Sequence, residues 1–396
     1  RHGSSRRTPT PERGAPGDAA VTNGPGLREI RRLLEEVVAG GPPGEQTYGL
    51  ENLGRYVHTV AWILAGSAGP GALLDAGIYP GHLALALARL GRFEISGVGR
   101  FVPTSFRRWM AERGIAVEDV DLERELLPHA EASFDRIVAT EILEHLATPA
   151  LFLSECWRVL RPSGVLHLTT PNVVDLRGRT RALLGRSPQS HLFGIERTLR
   201  MNEWVHRREY APAEVARLVQ AVGFRVSGLH TWMPSRAEGG QGAGGWLAPL
   251  LNRMPGLGGT IFVAATRPAV AASETDRARI APGCRYLEAM PGSNAALTVR
   301  VTNIGTATWD PGSVRGAVAL GAHLAEPDGR VLDRELARAS LLHSVSPGQE
   351  TVVTLSFRAP HDVGVFLLEL DLVREGEHWF ADDGSPPARV VLRNGS

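Results

Sequence analysis

A chain of 396 residues exceeds the usual span of one domain, so two are expected, and 43% hydrophobic against 21% charged residues is ordinary for a globular protein. A formal net charge of +1 gives no electrostatic case for nucleic acid or a membrane surface as partner. The two cysteines, Cys156 and Cys284, lie too far apart in sequence to suggest a disulfide framework or a thiolate metal cluster, which fits a reducing, cytoplasmic setting. No apolar run approaches the ~18 residues of a membrane helix, so membrane insertion is not expected. Every basic residue is arginine, as in proteins of GC-rich bacteria.

Residues 1–26, rich in Pro, Gly, Ser and Arg and without periodicity, read as a disordered tail; no apolar stretch follows the arginines as it would in a signal peptide. Order is expected from Leu27, where Leu27, Ile30, Leu33, Leu34 and Val37 fall at helical spacing. "LGRYVHTVAWILAG" supplies a second helix. From Leu73 the chain alternates strand and helix: "LLDAG", "HLALALARLG", "FEISGVG", "SFRRWMAERG", "FDRIVAT", "ALFLSECWRVL", "GVLHLTT". This predicts an α/β fold, a doubly wound parallel sheet of Rossmann type over residues 27–268. A basic stretch over 176–210 is too long for a minimal connection and reads as a helical lid or insertion. "APAEVARLVQAVGF" returns to helix, and "RVSGLHTW" and "TIFVAATRP" complete the sheet. Residues 269–282 read as a linker. Period-two alternation in "AALTVRVTN", "AVALGAHL", "ETVVTLSFRAP" and "GVFLLELDLV" then predicts an antiparallel β-sandwich of Ig size over 283–396.

The segment "FDRIVATEILEHLATPALFLSECWRVLRPSGVLHLTTPN", Phe134 to Asn172, resembles the second half of class I S-adenosylmethionine-dependent methyltransferases. "HRREYAPAEVARLVQAVGF" resembles a later element of the same family. The resemblance, covering about Leu50 to Pro268, implies S-adenosylmethionine as methyl donor. It implies a site built from Asp75 at the end of the first strand, Gly77 and Gly81 in the turn, Asp121 with Leu122 at the adenine, and Thr140 and Glu141 at the end of the fourth strand. Glycine suits the turn because the backbone can approach a ligand without a Cβ clash. Two positions depart from the pattern. Tyr79 stands where a middle glycine is usual, and Gly99 stands where an acidic residue usually grips the ribose, a loss of about 1.5–3 kcal/mol in binding. The "YPGH" turn with the "GVGR" strand end resembles methyltransferases encoded with polysaccharide genes.

Glu141, Glu144 and His145 in "EILEH" fall at i, i+3 and i+4, one face of a helical turn. Some class I methyltransferases with this spacing, acting on RNA ribose or polyprenyl catechols, use it with a further histidine to hold a divalent metal, so the resemblance makes Glu141, Glu144, His145 and His206 candidate ligands for Mg²⁺, Mn²⁺ or Zn²⁺. The alternative is that Glu144 and His145 only shape the strand-to-helix turn. Methyl transfer to a hydroxyl benefits from a base; Glu141, His145 and His206 are the catalytic candidates.

The expected reaction is O-methylation of a sugar or polysaccharide intermediate, with a small aromatic or polyprenyl phenol as alternative acceptor and a non-catalytic scaffold as alternative class. Arg177, Arg179, Arg181, Arg186, Arg207 and Arg208 could bind an acidic glycan or carrier phosphate, or form a solvated surface. Trp204 and Tyr210 could stack on a sugar or pack in the core. The "TNxGTxxW" opening of the second half resembles four-tryptophan Ig-like domains, implying a glycan or protein partner, with Trp309 and Trp379 either in the core or on a glycan platform.

Overall fold

The computed structural model describes residues 25–42, 44–66, 69–189, 206–235, 238, 242–254, 256–269, 275–312, 314–327 and 330–395. The expected tail lies outside these residues except for Pro25 and Gly26, as do Trp204 and the middle of the expected lid. Order begins with helix α1, Leu27–Ala39, which buries Ile30, Leu34, Val37 and Val38 and sets Arg32 against Glu36 on its outer face. α2 (Gln46–Glu51) and α3 (Leu53–Ala65) follow.

Seven strands form the first sheet: β1 Gly71–Ala76, β2 Phe93–Gly99, β3 Ala116–Asp119, β4 Phe134–Thr140, β5 Leu160–Pro171, β6 Arg225–Trp232 and β7 Thr260–Thr266. Their order is β3-β2-β1-β4-β5-β7-β6. Neighbours from β3 to β5 are parallel, whereas β7 runs antiparallel to both β5 and β6. The expected doubly wound sheet is present, with β7 inserted antiparallel between β5 and β6. The strand β3, "AVED", was not foreseen: it is a four-residue edge strand with a single buried side chain, Val117. α4 (His82–Arg89) and α5 (Thr104–Ala111) join α1 and α3 on one face, and α6 (Pro149–Val159) and α8 (Pro212–Ala221) cover the other. α7 (Leu176–Leu183) follows β5, and α9 (Gly242–Leu251) lies between β6 and β7 in the chain. Chain order reverses between β1 and β4, and ligands of such sheets bind beyond the carboxyl ends of the strands at that reversal.

Beyond Thr275 the chain is all β. A three-stranded sheet, β13-β10-β8, faces a larger one ordered β12-β11-β14-β16-β9, with β15 on β14. The strands are β8 Ala278–Pro282, β9 Tyr286–Ala289, β10 Asn294–Asn303, β11 Val318–Ala325, β12 Val331–Ser340, β13 Glu350–Arg358, β14 Gly364–Arg374, β15 His378–Trp379 and β16 Ala388–Asn394. The linker expected over 269–282 thus ends early: Ala278–Pro282 pairs with β10 because Ala278 and Ile280 are inward residues of the sandwich core. β13 shows the expected alternation along its whole length. Trp309 is fully buried against Phe380, while Trp379 is half-buried under the Arg338 guanidinium. Among the described residues no helix is long and apolar enough to cross a membrane.

Three histidines lie between α3 and the sheet. His58 Nε2 sits 3.1 Å from His230 Nε2, with the His58 ring stacked on Trp232, and His167 meets the edge of Trp62 at 4.7 Å. Burial lowers His58 and His167 to about 3 and His230 to about 4. Each is therefore neutral in the fold, whereas in the unfolded chain it takes up a proton below about pH 6.5. Stability from this layer is present above pH 6.5 and is lost as pH falls toward 3, at about 1.4 kcal/mol per pH unit per histidine. Replacing His167 by Leu should flatten the pH dependence of unfolding, measured in denaturant between pH 7.5 and 5, by that slope relative to the parent; identical slopes would contradict a neutral His167.

Candidate active site

The reversal point places Asp75, the fifth residue of β1, in register with Val138 of β4 and Gly97 of β2. Its side chain is buried, and burial pushes its carboxyl up to about 7. The turn that follows is shaped by glycines. Gly77 has φ +86 and donates its N–H to the Val98 carbonyl; a Cβ there would lie 2.2 Å from Ile142 Cδ1. Gly81 has φ +87 and heads α4 under Phe106 and Met110. Tyr79, a candidate to flank the cofactor, is partly exposed: its O–H donates to Glu45 Oε1 at 2.7 Å and its ring meets Phe106 edge-on.

At the end of β2, Gly99 is buried, and a Cβ on it would sit 3.1 Å from Val102 Cγ2. The position is narrowed by packing as well as lacking a carboxylate. Arg100 follows, and its Nε lies 3.4 Å from Asp121 Oδ2. Asp121 also accepts the N–H of Glu123 at 3.0 Å, and Leu122 beside it is a core residue. Asp119, paired with Gly99 across β2 and β3, accepts the Val102 N–H.

The "EILEH" segment departs from one helical turn. Glu141 has φ +55 and only Leu143–His145 forms a short 3-10 helix, so Glu141 does not share a face with Glu144 and His145. β5 separates the two glutamates. Successive strand residues point to opposite faces, so Thr169, backed by β4 residue Thr140 in the ladder, donates its O–H to Glu141 Oε1 at 2.9 Å on the α3 side. Thr170 donates its O–H to Glu144 Oε2 at 2.9 Å on the other side. Glu141 Oε2 is then held 2.5 Å from Arg55 Nη1 of α3, a partner the sequence reading did not identify. One signal was present: an arginine among the apolar residues of a helix otherwise packed on the sheet.

Glu144, His145 and His206 do come together, with one ligand-capable atom of each within 4.8 Å of the others. The chain after the undescribed part of the insertion delivers His206: Arg207 N–H donates to the Glu144 carbonyl at 2.7 Å. Tyr210 bridges to Asn172 and is buried in the core, not displayed for stacking. His206 Nδ1 lies 3.0 Å from Glu209 Oε1, and that contact raises the imidazole above its ordinary value. Burial, and next the charge of Glu141, push Glu144 well up. The rings of His145 and His206 meet edge-on at 5.1 Å. Of the four expected ligands, three gather and Glu141 is engaged by Arg55 and Thr169 instead.

Residues 74–168 match the family described as "Methyltransferase domain". The chain is 36% identical over 100 residues to a "Probable S-adenosylmethionine-dependent methyltransferase" of Mycolicibacterium smegmatis, covering 25% of this chain and 32% of that protein. It is 30% identical over 171 residues to a ubiquinone biosynthesis O-methyltransferase of Nitrosococcus oceani, 40% of this chain and 66% of that one. A ubiquinone biosynthesis O-methyltransferase of Parvibaculum lavamentivorans is 32% identical over 114 residues, 28% of this chain and 44% of that one. The chain thus spans from about a third to about two thirds of the length of these relatives. Residues 74–168 form a class I S-adenosylmethionine-dependent methyltransferase domain, on the Rossmann-like sheet described above.

Gly77→Ala should cost about 2–4 kcal/mol, combining left-handed strain with the collision at Ile142. In an Ile142→Ala background the same change should cost only the ~1–2 kcal/mol of strain. Denaturant midpoints of the four proteins check this, and equal costs in both backgrounds would mean that Ile142 does not close on the turn.

Proposed function

We propose that the chain is an S-adenosylmethionine-dependent O-methyltransferase whose donor lies in the crevice between β1 and β4 and whose acceptor hydroxyl meets Glu144, His145 and His206. The observation that carries this is the gathering of those three side chains at the carboxyl edge of a methyltransferase sheet, beside the reversal point. When bound, the donor supplies an electrophilic sulfonium methyl; the chain's residues position the two reactants and receive the hydroxyl proton. Glu209 on Nδ1 orients the His206 ring and raises its affinity for a proton. Glu141, locked by Arg55 and Thr169, orients the strand end and does not act as base.

The same trio suits one divalent ion. A buried carboxylate and two imidazoles are an ordinary donor set, and a carboxylate behind one imidazole is the usual outer-shell partner. An ion there would lower the pKa of an acceptor hydroxyl. For the acceptor, relatives named ubiquinone biosynthesis O-methyltransferases favour a phenolic hydroxyl. The sugar acceptor expected from loop resemblance gains no support from these relatives.

Calorimetry with S-adenosylmethionine should register binding that Asp121→Ala weakens about tenfold or more. Since Asp75 titrates near 7, affinity should rise between pH 6 and 8, and Asp75→Asn should remove that rise. No heat at millimolar donor would reduce the domain to a scaffold. For the metal, native mass spectrometry with Zn²⁺ or Mn²⁺ should show one ion bound to the parent and none to a His145→Ala, His206→Ala variant. Equal loading of both would discard the site. Parallel assays offering catechols and sugars would separate the two acceptor classes.

A further inference from the structure

The geometry points to a membrane-docking face formed by α7 and α9, which fits an anionic phospholipid bilayer. α9 is apolar all round. One side is buried through Ala248 and Leu251, while Trp246, Leu247 and Leu250 on the other are 45–70% exposed. A helix apolar on every side belongs in a core or against lipid, and only half of this one is in the core. α7 adds Leu183, 88% exposed, with Leu184 next to it.

The two helices follow the carboxyl ends of β5 and β6. α7 follows β5 directly, β7 begins beside the end of β5 with Pro171 opposite Thr260, and Leu176 N–H donates to the Leu257 carbonyl just after α9. Asn172 ties the same corner by donating to the carbonyls of Gly256 and Gly258. The neighbouring Asn172–Tyr210 bridge brings the loop carrying His206 to the carboxyl end of β5. A docked chain would therefore present the acceptor side of the proposed site toward the bilayer.

Charge selects the occupant. Residues 176–189 and 242–259 contain five arginines (Arg177, Arg179, Arg181, Arg186, Arg253) and no Asp or Glu, in a chain whose formal charge is only +1. The whole-chain balance hides this concentration. Arg177, Arg179, Arg186 and Arg253 are exposed. A second copy on this face would set like charges against each other, whereas an anionic lipid surface attracts each arginine and accepts Trp and Leu at its interface.

Co-sedimentation of the full chain with vesicles tests this. Vesicles of phosphatidylglycerol and phosphatidylcholine should carry the protein down at low salt, and pure phosphatidylcholine should carry down much less. Leu250→Glu and Trp246→Glu should each reduce binding at least about tenfold, the value of one lost buried apolar side chain. A triple Arg177→Ser, Arg179→Ser, Arg186→Ser variant should bind anionic vesicles weakly while keeping its thermal midpoint, and 0.5 M salt should act in the same direction. The proposal is overturned if the parent stays in the supernatant with anionic vesicles or if the variants pellet like the parent. It is equally overturned if the parent is a dimer that Leu250→Glu dissociates, since a second copy would then own the face.

Discussion

The geometry of the site depends on the two-residue period of one strand end. Thr169 and Thr170 are consecutive in β5 and so address opposite faces of the sheet, and each holds one glutamate of the "EILEH" segment. On one side Glu141 is fixed to Arg55, which fastens α3 to the end of β4. On the other, Glu144 receives the Arg207 N–H through its carbonyl and stands beside His145 and His206. The left-handed backbone at Glu141, a conformation that costs of order 1–3 kcal/mol outside glycine, is what lets the chain cross from one face to the other between them. The ion pair and the threonine bond offset that cost. A dipeptide thus divides two carboxylates that the linear spacing would have put on one face.

The turns beyond β1 and β2 are governed by a second constraint, the close seating of loop side chains on glycines. Ile142 closes on Gly77, Ile78 lies over Gly97, and Val102 lies over Gly99. An acidic side chain at Gly99 would require Val102 to give by a few tenths of an ångström. The departure from the family pattern at Gly99 thus comes with Val102 seated close over the glycine. The Arg100–Asp121 pair occupies the same rim, so the local charge differs from the purely acidic grip that the resemblance implies, and Asp119 sits on the neighbouring strand with its carboxylate on the Val102 N–H.

Much of this was legible beforehand. Strong periodicity and glycine turns disclosed β1, β2, β4, β5 and most helices, because burial on one or both faces leaves a pattern that sequence carries directly. β3 escaped because an edge strand with three exposed side chains has almost no apolar signal. α9 escaped because glycines at its start and Pro249 inside it read as loop. The linker was overextended since "ARIAP", with two inward residues, is too short to alternate visibly. At the site, the trio was legible from spacing plus one distant histidine. Arg55 and the reversal at Glu141 were not, because a positive φ and a cross-layer ion pair are properties of the folded backbone.

The sandwich takes part in the site through a helix. Its contacts fall on α6 and α8: Arg285 Nη2 lies 3.1 Å from Glu155, and Arg389 donates to Ser154 Oγ and to the Ala221 carbonyl. Leu151 of α6 packs with Leu367 and Val391 of the sandwich. Glu155 is nearly fully buried and is shared by Arg158 and Arg285 while also accepting the Leu127 N–H. A buried carboxylate with one cation removed is costly to keep, so the sandwich supplies charge that the first domain needs at that position. α6 begins four residues after His145, joined to the short helix carrying Glu144 and His145 by a non-helical turn over Leu146–Thr148. Among the described residues the β domain thereby bears on the trio from behind, through α6.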